Sequence, residues 1–108
     1  MVTELFLLNN GLAWLARVVA TPTKWYEVAA EQGYSKAQHN LAVMYVKGYG
    51  VAQNYVTAHM WFNLAAANGE VAAIKGRDDL AKLMTPQQIA QAQQLASNCL
   101  ASNYKDCD

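Results

Sequence analysis

Apolar side chains recur every three to four positions through most of the chain, with polar residues filling the gaps. After Ser35 the apolar positions are Ala37, Leu41, Met44 and Tyr45, the 3.6-residue period of a helix with one buried face. That run stops at Gly48. Asn54 is placed to cap the next helix, which carries Ala58, Trp61, Leu64 and Ala65 on one side and closes at Gly69. A further helix is predicted from about Val71 to Leu83. Thr85-Pro86-Gln87-Gln88 reads as a capping box with proline at the first helical position. It opens an amphipathic helix bearing Ile89, Ala92, Leu95, Ala96 and Cys99, its Gln-rich face outward. Upstream, Thr21 and Pro22 suit the start of a helix that Gly33 ends, and Ser35 is placed to cap the one after it. Lys47-Gly48-Tyr49-Gly50-Val51 has two glycines and no helical period, so it is a connector. No run of five or more residues alternates like a strand with turn signals on both sides. The pattern predicts an all-α chain.

Residues 1–20 follow a different rule, being apolar on nearly every side. The segment makes a poor secretion signal: its start carries Glu4 and no Lys or Arg, and Asn9-Asn10-Gly11 interrupts the apolar run. It lacks the 18 uninterrupted apolar residues of a membrane span. A structural helix is expected. One stripe of it would pack on the body of the protein, and Leu5, Phe6, Leu8, Leu12, Trp14 and Leu15 would meet another chain in a homodimer.

The chain also repeats itself. Trp25-Tyr26 is followed by Ala29, Ala30, Gly33 and Ala37, and Trp61-Phe62 by Ala65, Ala66, Gly69 and Ala73, each 36 positions on. A large aromatic knob, then alanines that let a neighbouring helix approach, then a glycine that ends the segment is a packing instruction. Trp25, Tyr26, Trp61 and Phe62 are therefore predicted as core. The division expected is one domain over 1–108. Within it lie the N-terminal helix 1–20, a first repeat 21–53 with a truncated first helix, and a second repeat 54–84. A capping helix 85–102 and a tail 103–108 complete it.

Charge narrows the partners. Eight basic and eight acidic residues cancel, which removes the electrostatic reason to expect nucleic acid. With 54% hydrophobic and 15% charged residues the chain is a compact globule rather than a disordered tail. Cys99 and Cys107 stand eight residues apart, ~12 Å on a continuous helix, too far to bridge. They are expected as free thiols near a frayed end. Pairing requires the chain to turn near Asn103 in an oxidising compartment.

The run from Trp25 to Tyr45, with Ala29-Ala30, Gly33, Ala37 and Leu41, resembles the Sel-one-like repeat family of tetratricopeptide-like α/α repeats. So does Gly48-Tyr49-Gly50-Val51-Ala52-Gln53-Asn54-Tyr55 followed by Ala58 and Trp61-Phe62. The likeness extends to about residue 97. It implies a short α/α solenoid of helical hairpins, closed by the N-terminal apolar helix and the C-terminal capping helix. There are departures. Pro22 falls where the second repeat has Ala58, so the first helix starts about a turn late. Arg77 takes the place of Leu41. Only two repeats are present, where a continuous core usually needs three.

The resemblance implies a non-catalytic adaptor or scaffold that holds a protein or peptide on a concave face lined by the first helix of each repeat. On that groove side the candidates are Glu27, Tyr55, His59 and Asn63. Asn63 could hold a partner backbone through both its donor and its acceptor. The alternative is a homo-oligomeric assembly unit built through the N-terminal helix. No enzyme is expected. His39 and His59 lack the spacing of a zinc site, and no phosphate loop or dinucleotide motif occurs. Asp78 and Asp79 are adjacent, so they point to different sides of a helix. No cofactor, metal, nucleic acid or membrane span is expected. For location, the bacterial cytoplasm is slightly favoured, with export or periplasm open through the family.

Overall fold

The computed structural model describes residues 22–107, all in helices and the turns between them. The N-terminal helix and its interface residues Leu5, Phe6, Leu8, Leu12, Trp14 and Leu15 lie outside the described residues. The five helices are α1 (Pro22–Ala30), α2 (Ser35–Lys47), α3 (Tyr55–Ala67), α4 (Val71–Ala81) and α5 (Pro86–Ala101). Successive helices pair as α1 with α2 and α3 with α4, α2 also lies against α3, and α5 packs on α3. This is a short all-α solenoid. α1 has 9 residues where its counterpart α3 has 13, the turn-late start expected from Pro22.

Local signals set the boundaries. Asn54 accepts from the Thr57 amide at 3.1 Å and so caps α3. The Thr85 box closes in both directions: Thr85 Oγ1 accepts from Gln88 N at 3.1 Å, and Gln88 Oε1 accepts from Thr85 N at 2.9 Å. Gly48 ends α2 with φ 74°, its amide donating to Met44 O. Ser35 is not a cap; it is the first residue of α2, and Tyr34 holds the cap position without a side-chain bond.

α3 is the axis of the fold. α2, α4 and α5 surround it, so Ala58, Met60, Trp61, Phe62, Leu64 and Ala65 are all buried. Burying a Leu or Phe contributes about 1.5–3 kcal/mol, so this helix holds a large share of the hydrophobic stabilisation. α4 comes close because Gly76 has no side chain. A Cβ there would stand 2.8 Å from Phe62 Cε1 and 2.9 Å from Cζ.

Two expectations fail here. Trp25 is 73% exposed, although its repeat counterpart Trp61 is 4% exposed. The reason is neighbours: among the described residues α1 packs chiefly on α2, whereas three helices enclose α3. Tyr26, by contrast, does lie partly buried against the core. The cysteines are not free either. Cys99 and Cys107 form a disulfide, their Cα atoms 4.3 Å apart. The helix does not continue between them. It ends at Ala101, and Asn103 and Tyr104 take left-handed φ values of 57° and 66° that reverse the chain.

Candidate functional site

The four residues expected on one groove lie on two helices, Glu27 on α1 and Tyr55, His59 and Asn63 on α3. Glu27 sits on α1 with Lys24 Nζ 3.9 Å away, an exposed i,i+3 pair of little energetic weight. Tyr55 opens α3 and packs partly buried against the core. His59 is 2% exposed, so it is an interior residue and not a groove residue. α4 covers that side of α3. Arg77 of α4 reaches Asn63 Oδ1 with Nη1 at 3.4 Å, and Asn63 Nδ2 lies 3.1 Å from His59 Nδ1. Arg77 Nε also donates to Asp78 Oδ1 at 3.1 Å.

This row and its burial shape the chemistry of His59. Asn63 offers its oxygen to Arg77 and its NH2 to the ring, an arrangement that suits the neutral His59 tautomer with Nδ1 as acceptor. Burial pushes the His59 pKa below its ordinary 6.5 and the Arg77 charge adds to this, while Asp78 opposes it in part. The unfolded chain therefore binds more protons than the folded one once pH drops toward 6.5. Stability is full above that value and declines as pH falls through it toward the depressed folded pKa. Thermal melts between about pH 7.5 and 5.5 should show this decline, and His59→Gln should flatten it. An unchanged slope in the variant would assign the decline to other groups.

Exposed apolar surface remains in several places among the described residues. On α1, Trp25 and Val28 lie i,i+3 on one face and are exposed. The repeat alone points Trp25 to the core, because a repeat does not record which helices stand beside each copy. Between α2 and α4, an apolar groove of about 250 Å³ is lined by Val43, Val46, Phe62, Gly76, Leu80 and Leu83. Among the described residues no group of three or more His, Cys, Asp or Glu is placed to hold a metal ion. Nor is any described helix long and apolar enough to cross a membrane.

The sequence matches the Sel1 repeat over residues 23–34 and 35–70. Residues 23–70 are Sel1-like repeats. The second match runs through α2, the glycine connector and α3, and the first covers α1 and its turn. α4 and α5 lie beyond it, although the sequence likeness was read as far as residue 97. A search of curated proteins returns no match for the chain. Sel1 repeats generally mediate protein–protein interaction and are typically non-catalytic. In this chain His59 and Asn63 belong to a row that ties α3 to α4 through Arg77.

Proposed function

We propose that this Sel1-repeat protein is a non-catalytic adaptor whose partner, a protein or peptide, docks on the face of α1 that carries Trp25 and Val28. The carrying observation is the contrast between Trp25, in solvent, and Trp61, in the core, at the same repeat position. A tryptophan presented on a helix supplies large apolar area with little rotamer entropy to lose, the character of an interface anchor. Glu27 and Lys24 flank it with one charge of each sign and would orient an incoming segment. Tyr55 stays a candidate at the edge of the second repeat. His59 and Asn63 drop out, because binding through them would require breaking the α3–α4 row.

Affinity capture with the wild-type chain, followed by titration of each captured protein, tests this. Trp25→Ala should weaken binding at least tenfold, by about 1.4 kcal/mol or more, with little change in the melting curve. Equal affinity in the variant would sink the assignment. The homo-oligomeric reading, expected from the sequence through the N-terminal segment, extends to this face if its occupant is a second copy of the chain. Light scattering across a dilution series separates the two. A dimer that Trp25→Ala converts to monomer, with no heterologous partner lost, would favour assembly over adaptor.

A further inference from the structure

The C-terminal turn is joined to both helical hairpins by one polar row. Tyr104 places its ring against Gly33 in the α1–α2 turn, where an added Cβ would stand 3.6 Å from Tyr104 Cε2. Its hydroxyl accepts from Asn68 Nδ2 at 2.8 Å, in the α3–α4 turn. The same Asn68 nitrogen donates to Gln38 Oε1 at 3.0 Å, and Gln38, wholly buried on α2, donates Nε2 to Ala30 O at 3.0 Å. Ends of α1, α2 and α3 thus converge on one tyrosine. That tyrosine lies inside the loop closed by Cys99 and Cys107.

We infer that the Cys99–Cys107 disulfide is a redox-controlled latch that holds Tyr104 as a bolt across the turns of both hairpins. Asn103 and Tyr104 are consecutive non-glycine residues in the left-handed region, which such residues seldom adopt unless held. Tyr104 N donates to Cys99 O at 2.8 Å and Asp106 N to Ser102 Oγ at 2.8 Å, so short bonds shape the turn while the disulfide closes it. With thiols in place of the bridge, the cross-link that holds this backbone is gone and Tyr104 leaves Gly33 and Asn68.

The chemistry is thiol–disulfide exchange with an oxidant of the disulfide class. One cysteine thiolate attacks the oxidant's disulfide and forms a mixed disulfide, releasing one oxidant sulfur as a thiol. The second cysteine thiolate then displaces the other, so the two cysteines lose two protons and two electrons and the oxidant gains them. Cys99 is fully buried and Cys107 nearly so, which makes reversal depend on opening the turn. A bridge that holds a residue against the turns of both hairpins suits an oxidising compartment rather than a reducing cytoplasm.

The test uses the full chain purified without reductant. Alkylation followed by mass measurement should find no free thiol, and dithiothreitol should expose two. Reduction should speed amide exchange at least tenfold over residues 33–38, far upstream of the cysteines, and lower Tm by about 5–10 °C. Tyr104→Ala, kept oxidised, should reproduce the faster exchange at 33–38, and reducing it should then shift Tm by less than half as much as in the wild type. Cys107→Ser should behave as the reduced chain at every redox poise. Three results each overturn the latch: two alkylatable thiols in the unreduced chain, faster exchange confined to 99–107, or the same Tm shift with and without the Tyr104 ring.

Discussion

Trp61→Ala is expected to lower the unfolding free energy by about 3–5 kcal/mol, while Trp25→Ala, the same change 36 residues earlier, should cost less than about 1 kcal/mol. Trp61 belongs to a helix enclosed by three others, and cutting it to a methyl leaves a cavity that α2, α4 and α5 can collapse into only partly. Trp25 already meets water over most of its surface, so truncation removes few contacts. Urea unfolding of both variants, followed by circular dichroism, gives the two values on one scale. A small domain holds only about 5–15 kcal/mol in all, so Trp61→Ala should visibly shift the midpoint. Equal losses would mean that Trp25 is covered in solution, and the docking face on α1 would then be already filled.

Those two tryptophans also show what a sequence reveals and what it withholds. Helix boundaries were legible because they depend on local chemistry: Asn54, Thr85 with Gln88, and Gly48 act within three or four residues of themselves. The 36-residue offset was legible because it is a property of the string. Burial of a particular copy was not, since that depends on which helices stand beside it, and α1 and α3 differ in neighbours. His59 failed for a related reason. Its helical position suggested a groove, but α4 closes that side with Arg77, a residue whose departure from the repeat was visible while its reach to Asn63 was not. The cysteine spacing was read correctly for a continuous helix. What it lacked was the left-handed pair: Asn103 is a residue that tolerates that conformation and marks a place to turn, but Tyr104 beside it gives no such sign.

The departure at Arg77 leads to the largest effect expected of any single change. Leu41 and Arg77 occupy equivalent positions, one wholly buried and the other half-exposed. Leu41→Arg should abolish folding, at a cost above about 4–5 kcal/mol, because it drives a guanidinium into a core where, among the described residues, the buried polar ones are Thr23, Gln38 and His59 and none is a carboxylate. The reverse change should be tolerated. Arg77→Leu gives up one long bond to Asn63 and a surface pair with Asp78, both of small net worth, so stability should move by less than about 1 kcal/mol. It should also raise the His59 pKa, since the Arg77 charge helps hold it down. Circular dichroism on Leu41→Arg and a histidine titration by NMR on Arg77→Leu check the two halves. A folded Leu41→Arg chain would mean that α2 can rotate this position to the surface. An unmoved His59 titration would mean that burial alone keeps the ring neutral.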